Sequence, residues 1–169
     1  MAVLIPPDPP LVGGRVRLRP FRLDDAGAVA AACQDPSCPD GWLVGVARFA
    51  ITLAPSDRCV GQVGIGFQFR DRRAEAFYWL DRAVRGRGLA CEALDLVTAW
   101  VLRDHDVVRV HLITHLENRA SHAVAGRCGY TREGVLRAWH PIKDTQPDVI
   151  MWSRLARDPQ ITAPPAAIT

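Results

Sequence analysis

The pattern of hydrophobic and polar positions predicts a chain rich in short strands. Over residues 15–19, Val16 and Leu18 alternate with arginines, as in a strand with one buried face. Later apolar runs, each bounded by charged, glycine or proline residues, predict further strands. These runs are residues 48–53, 59–69, 74–80, 109–116, 130–135 and 149–155.

Apolar residues at helical spacing predict three helices between these strands. The strongest signal covers residues 89–103, whose apolar residues recur on one helix face. That stripe consists of Ala90, Leu94, Val97 and Val101. Residues 26–33 and 119–128 predict shorter helices, and Gly129 follows the latter where a C-cap glycine belongs. The order of strands and helices predicts an α/β domain built on a mixed sheet.

The region after the first strand is interrupted by turn-forming residues. Asp24 or Asp25 can cap the helix over residues 26–33, and Pro36 must end it. Residues 34–46 carry several glycines and prolines and are predicted to be mostly loop.

Length and composition fit one domain. The chain has 169 residues, of which 49% are hydrophobic and 23% charged, enough to bury a core without metal or disulfide staples. We expect a frayed leader over residues 1–10, a single domain over 11–157 and a Pro/Ala-rich tail over 158–169. The leader has no basic n-region, and no apolar run nears the ~18 residues of a membrane span. We therefore expect a cytoplasmic protein with no membrane partner.

Charge, cysteines and histidines argue against several kinds of site. A formal net charge of +3 is well below the basic footprint of a nucleic-acid-binding protein. The five cysteines are odd in number and lack zinc-ligand spacing, so they are predicted to be free thiols. His111 and His115 share one strand face, but no third ligand lies nearby, and no metal site is predicted.

The segment LDRAVRGRGLACEAL, residues 80–94, joins a strand to the longest helix through a glycine-arginine loop. Gly86 and Gly88 let successive backbone N–H groups converge on one anion, and the helix N-terminus adds its own unsatisfied N–H groups. Arg85 and Arg87 add positive charge. A Walker A loop is excluded because no lysine and hydroxyl residue follow the glycine. A dinucleotide fingerprint is excluded because the G-x-G-x-x-G pattern and its downstream acid are absent. The segment therefore predicts a phosphate cradle, with a plain strand-capping loop as the alternative.

Within this loop, Arg85, Gly88 and Ala90 reproduce the Arg/Gln-x-x-Gly-x-Gly/Ala signature with which GNAT enzymes bind the pyrophosphate of coenzyme A. The neighbouring runs are similar to those of the Rim-type (RimJ/RimL-like) ribosomal-protein N-acetyltransferases. They are YWL at 78–80, RGRGLA at 85–90, EAL at 92–94, RV at 109–110, NRAS at 118–121, GY at 129–130 and REGVLR at 132–137. The chain therefore resembles a Rim-type member of the GNAT superfamily over about residues 74–155.

This resemblance implies the GNAT fold, a mixed and mostly antiparallel central sheet of about six to seven strands flanked by about three to four helices. One parallel pair of strands splays apart and leaves backbone groups free for the pantetheine arm of acetyl-CoA, the implied cosubstrate. The implied cofactor-binding residues are Trp79, Leu80, Asp81, Arg85, Gly86, Arg87, Gly88, Leu89, Ala90, Asn118 and Arg127. At Arg127 the alternative is a solvated arginine at a helix end.

The implied reaction is direct attack of a neutral primary amine on the thioester, without a metal. It needs a base for the amine proton and a hydrogen-bond donor for the thioester oxygen or the leaving thiolate. Glu75 is the candidate base, because the Rim-type pattern also has glutamate there. The alternative is an exposed strand glutamate paired with Arg72 or Arg73. Glu133 and Asp148 are weaker candidates.

Ser121 is the candidate donor. Many GNAT enzymes place a tyrosine on the helix after the fifth strand, but this chain has Ala125 there. Ser121 matches a serine that Rim-type enzymes have near the thioester, while the alternative is a serine that only caps its own helix. His122 and His140 are further residues that can touch the acceptor pocket.

One departure from the Rim-type pattern concerns the acceptor side. Rim-type proteins usually have a second helix and a long excursion after the first helix, where this chain has only residues 34–46. We therefore expect a more open acceptor site, or one completed by another subunit in a homodimer. The expected acceptor is a primary amine, with a peptide or protein N-terminus favoured over a small amine. The alternatives are a CoA-binding protein without transferase activity, and transfer of another acyl group such as succinyl.

Overall fold

A computed structural model describes residues 7–33, 46–139, 141 and 145–159 of the chain. Most of the expected leader and tail lie outside the described residues. The same holds for residues 34–45 of the predicted loop and for His140. None of the described helices is long and apolar enough to cross a membrane.

The described residues form eight strands and three helices. The strands are β1 (Leu11–Val12), β2 (Val16–Arg19), β3 (Val46–Leu53), β4 (Arg58–Gln68), β5 (Arg73–Leu80), β6 (Arg109–His115), β7 (Thr131–Leu136) and β8 (Val149–Leu155). The helices are α1 (Ala26–Cys33), α2 (Leu89–Asp104) and α3 (Arg119–Arg127). Every predicted strand and helix is confirmed to within two residues, and β1 is an additional strand.

The eight strands form one sheet in the order β1-β2-β3-β4-β5-β6-β8-β7. Every neighbouring pair is antiparallel except β5 and β6. That parallel pair is in register only from Arg73↔Arg109 to Glu75↔His111, although both strands continue well beyond it. The predicted mixed sheet with a splayed parallel pair is therefore confirmed, and Glu75 and His111 mark the point where the strands separate.

The helices cover the two faces of the sheet. The buried stripe of α2, which includes Leu94 and Val97, packs on the face that carries Val63, Ala76 and Tyr78. Trp100 of α2 meets Phe49 of the same face edge to face, with ring centroids 5.5 Å apart. Helix α1 lies on the opposite face, against β4.

The start of α1 and the end of α3 can be compared with the caps predicted from the sequence. A short 3-10 turn, Leu23–Asp25, precedes α1, and the Asp25 carboxylate accepts the Arg22 N–H at 2.8 Å within that turn. Gly129, the residue after Cys128 at the end of α3, has φ of 72°, as the predicted C-cap glycine requires. Tyr130 then enters the core, 4% exposed, with its hydroxyl 2.6 Å from the Thr98 hydroxyl.

Candidate functional site

The loop between β5 and α2 has the geometry of an anion cradle. Gly86 and Gly88 have φ of 79° and 76°, in the left-handed region that favours glycine. The first helical bond of α2 runs from Glu92 N to Gly88 O at 3.1 Å, so the amides just before Glu92 have no helical acceptor. A Cβ added at Gly86 would meet no atom within 4 Å, which leaves open space over the loop.

Arginines from the loop hold its shape. Arg85 Nε donates to Leu80 O at 2.9 Å, and Arg87 donates to Ala83 O at 3.3 Å. Asp81 caps the turn that leads into the loop by accepting the Ala83 N–H at 2.9 Å. These hydrogen bonds to backbone carbonyls hold the two guanidinium groups near the cradle.

Arg15 and Glu92 form a clamp that the sequence patterns did not indicate. Arg15 Nε lies 2.9 Å from Glu92 Oε2, and Arg15 Nη1 donates to Arg87 O at 2.7 Å. Glu92 also accepts the Arg15 N–H at 2.7 Å. The clamp connects the sheet edge before β2 to the first turn of α2. Because its partners are 77 residues apart, no local motif could have revealed it.

The splayed strands open a gap that begins at the cradle. From Leu80 back to Glu75, the last β5 residue paired with β6, the strand covers about 17 Å at roughly 3.3 Å per residue. Along this stretch β5 and β6 do not pair, so the strand edges that face each other are left for another partner. An extended chain with amide groups, such as pantetheine, suits a gap of this length and polarity.

Glu75 and His111 lie side by side at the closed end of the gap. Glu75 Oε2 is 3.7 Å from His111 Nε2, and the two side chains are 22% and 8% exposed. His111 Nδ1 is buried without a hydrogen-bond partner among the described residues. The arginines that were the alternative partners of Glu75 are engaged elsewhere, Arg72 with Asp106 and Arg73 with Asp71.

Tyr78 and Ser121 face each other on the α2–α3 side of the gap. Burial raises the pKa of Tyr78 to about 12, with a smaller opposing effect from the Ser121 hydroxyl. The Tyr78 hydroxyl is buried and has no partner of normal hydrogen-bond geometry among the described residues. Ser121 does not cap its helix, because Asn118 does so by accepting the Ser121 N–H at 3.0 Å. A buried donor without a partner is the kind of group that a bound ligand satisfies.

The weaker base candidates already have partners. Glu133 is bonded to Arg109 and accepts the Ser153 hydroxyl at 2.7 Å, and the bond from Arg109 lowers the pKa of Glu133 to about 2. Asp148 accepts the Ala138 N–H at 2.9 Å. Both carboxylates therefore already accept hydrogen bonds from other parts of the chain.

The remaining candidate residues are spread along α3 and β6. Arg127 occupies the last turn of α3. His122 Nε2 is 3.0 Å from His115 O, and its ring lies 5.9 Å from the ring of Trp152. Within the part of the chain that the structure describes, no three His, Cys, Asp or Glu side chains are grouped as metal ligands.

Comparison with known proteins places this geometry in a family. Residues 39–131 match the family described as Acetyltransferase (GNAT) domain. The chain belongs to the GNAT acetyltransferase family. The predicted family and fold are therefore confirmed.

Among the similar proteins is the ribosomal-protein-serine acetyltransferase of Escherichia coli K12, 28% identical over 85 residues, which are 50% of this chain and 48% of that protein. Another is the Bacillus licheniformis protein named Uncharacterized N-acetyltransferase p20, 29% identical over 66% of this chain and 63% of that protein. The structure of Mycobacterium smegmatis RimJ in complex with CoA-disulfide superposes with a TM-score of 0.72 at 22% identity, covering 83% of this chain and 82% of that one. The predicted Rim-type likeness of the GNAT chain is confirmed, and the matches span about half to two thirds of the curated relatives.

Proposed function

We propose that this GNAT chain transfers an acetyl group from acetyl-CoA to a primary amine. The observation that carries the proposal is the continuous path from the Gly86–Gly88 cradle, along the unpaired edge of β5, to the Glu75–His111 pair. Such a path matches the order of diphosphate, pantetheine and thioester in acetyl-CoA. Orientation of both reactants at its end would supply much of the rate.

Cofactor binding in the proposal rests mainly on backbone groups. The amides of the loop and of the first turn of α2 hold the diphosphate, with Arg85 and Arg87 beside them. The unpaired groups of β5 around Trp79 and Leu80 accept and donate to the pantetheine amides. Asp81 and Asn118 shape the site through the turns that they cap, and Arg127 adds charge at the end of α3.

Glu75 is the proposed base. It shares the sheet face of α1 with His111, and both groups are largely removed from water. The separation of 3.7 Å exceeds a normal hydrogen bond, so the two side chains are neighbours without a direct hydrogen bond between them. The attacking amine gives its proton to the Glu75 carboxylate, and His111 positions that carboxylate at the end of the gap.

Ser121 and Tyr78 are the proposed donors on the other side of the gap. The raised pKa of Tyr78, about 12, keeps its hydroxyl protonated and able to donate at neutral pH. Its buried position gives a hydrogen bond to developing negative charge more weight than the same bond would have in water. Tyr78 thus takes the place of the helix tyrosine that this chain replaces with Ala125.

A peptide or protein N-terminus is the proposed acceptor. The E. coli relative is named for a ribosomal-protein serine, which supports an acceptor of this class. A polyamine would call for a cluster of carboxylates, yet Asp148 and Glu75 are far apart. Glu75 lies beside His111 of β6, which pairs with Ser153 of β8, whereas Asp148 lies next to Val149 of β8, which pairs with His115. These two positions on β6 and β8 are about 13 Å apart along the strands.

The test measures thiol release from acetyl-CoA with N-terminal peptides, spermidine and an aminoglycoside, using wild type, Glu75→Gln and Asp106→Asn. Asp106 is an exposed carboxylate paired with Arg72, so its variant is a matched control. We expect turnover on peptides, lowered at least about a hundred-fold by Glu75→Gln and unchanged by Asp106→Asn. The loss should be larger at low pH, where few amines are already neutral.

Each other result points to a different function. Turnover on spermidine alone would replace the peptide acceptor, and turnover with succinyl-CoA alone would replace the acetyl donor. A rise in melting temperature with acetyl-CoA but no turnover on any amine would indicate a CoA-binding protein without transferase activity. If acetyl-CoA gives neither turnover nor stabilisation, the cradle does not bind this cofactor and the proposal fails.

A further inference from the structure

Two cysteines from different helices meet beside the cradle. Cys91 lies in the first turn of α2, and Cys128 follows directly after α3. Their sulfur atoms are 2.7 Å apart, and Cys128 Sγ also lies 3.3 Å from Cys91 O. Both are free thiols, and the two residues are 37 positions apart in the chain. The sequence predicted free cysteines but gave no sign of this pair.

The two thiols differ in environment, which gives each a separate role. Cys91 is partly buried, whereas Cys128 is 1% exposed. The hydrogen bond shared with Cys128 lowers the pKa of Cys91 against a smaller opposing effect of burial, and Arg127 and Arg15 also lower it. The shared hydrogen bond and burial raise the pKa of Cys128. Cys91 is therefore the nucleophilic thiol, which the N-terminus of α2 also favours, and Cys128 is the buried thiol that can resolve an intermediate.

The spacing requires little movement for a covalent bond. A disulfide has its sulfur atoms about 2.05 Å apart, so these two must approach by less than about 1 Å. Such a bond would join the first turn of α2, next to the cradle, to the end of α3.

We propose that Cys91 and Cys128 form a dithiol site that a small-molecule disulfide such as oxidised glutathione converts to an intramolecular disulfide. The Cys91 thiolate attacks one sulfur of the oxidant, forms a mixed disulfide and releases one glutathione thiolate. Cys128 then loses its proton and attacks Cys91 Sγ, and the second glutathione leaves as a thiolate. The protein dithiol loses two protons and two electrons, and the oxidised glutathione takes them up to become two thiols.

The test incubates the full chain with oxidised or reduced glutathione, blocks remaining thiols and digests it with trypsin. Cleavage after arginine yields peptides 88–103 and 128–132, each of which contains one of the two cysteines. We expect these peptides to be linked in the oxidised sample and separated again by dithiothreitol. The melting temperature should rise by about 5 °C or more, because the bond restricts the unfolded chain.

Three variants separate this site from general thiol oxidation. Cys91→Ser should prevent the link and leave Cys128 unmodified, because the nucleophile is gone. Cys128→Ser should stop at a stable glutathione adduct on Cys91. Cys59→Ser, a change at a buried cysteine elsewhere, should leave the linked peptide intact. Absence of the 88–103 to 128–132 link in wild type, or a link to any other cysteine, would overturn the proposal even where a variant fails to fold.

Discussion

At the scale of single residues, Tyr78 and Tyr130 differ in whether the buried hydroxyl has a hydrogen-bond partner. Both rings are largely buried. Tyr130 has its hydroxyl 2.6 Å from that of Thr98, whereas the Tyr78 hydroxyl is buried without a partner of normal geometry. An unsatisfied buried hydroxyl lowers stability, so its presence is understandable if a substrate completes its hydrogen bonding.

Substitution of each tyrosine by phenylalanine should therefore have opposite effects. Tyr78→Phe should lower kcat by about 10- to 100-fold, because a donor to developing negative charge is lost, with the free energy of unfolding unchanged or higher. Tyr130→Phe should lower the free energy of unfolding by about 1 kcal/mol and leave kcat unchanged. Urea unfolding and thiol-release kinetics measure the two quantities. A Tyr78→Phe protein with full kcat would remove Tyr78 from the proposed mechanism.

At the scale of elements, the loop before α2 depends on backbone conformation. Gly86 and Gly88 both have positive φ, but only Gly88 lies close to another group. A Cβ there would lie 3.2 Å from Arg15 Nη2, the arginine of the clamp with Glu92. Gly126 in α3 is a matched control, because a Cβ there meets no atom within 4 Å and the backbone is helical.

Alanine at each of these three glycines should distinguish the cost of backbone strain from the cost of a new contact with Arg15. Gly86→Ala should cost about 1–2 kcal/mol of stability, since an L-residue disfavours this conformation. Gly88→Ala should cost at least as much and should also weaken acetyl-CoA binding about 10-fold or more, because the clamp beside α2 must shift. Gly126→Ala should be neutral or stabilising by up to about 1 kcal/mol. Calorimetric titration and thermal unfolding check these values, and unchanged binding by Gly88→Ala would contradict the cradle.

Sequence patterns predicted the elements better than their contacts. Residues 149–155 and 26–33 were predicted with their observed bounds, because apolar runs and breakers are local signals. The strand β1 escaped prediction because it has two residues, too few to show a period. The neighbour relation of Glu75 and His111 depends on the register of a parallel pair, which no local pattern encodes. Family resemblance supplied the expected role of the loop, but not the clamp or the cysteine pair.

At the scale of the whole molecule, a charge network centred on the buried Arg19–Asp25 pair joins β2 to the turn before α1. Arg19 of β2 bonds to Asp25 at 2.7 Å, and both side chains are only 5% exposed. Asp57, in the turn between β3 and β4, lies 3.2 Å from Arg19 and 2.8 Å from Arg22. The network therefore joins β2, the turn before α1 and the turn between β3 and β4. It affects stability without touching the proposed chemistry.

Asp25→Asn should lower the free energy of unfolding by about 3 kcal/mol at pH 7, because it leaves Arg19 buried with one fewer partner.

The bond from Arg19 lowers the pKa of Asp25 below its unfolded value of about 3.9. Its contribution is therefore complete above about pH 4 and is lost as the pH falls through the folded pKa. The advantage of wild type over Asp25→Asn should thus shrink as the pH falls below about 4, whereas Asp106→Asn, at an exposed pair, should match wild type throughout. Urea unfolding from pH 7 to pH 3 measures the difference. If the gap between wild type and Asp25→Asn is the same at both ends, the Asp25 carboxylate is not the titrating group, and acid sensitivity must arise from other paired carboxylates such as Glu133.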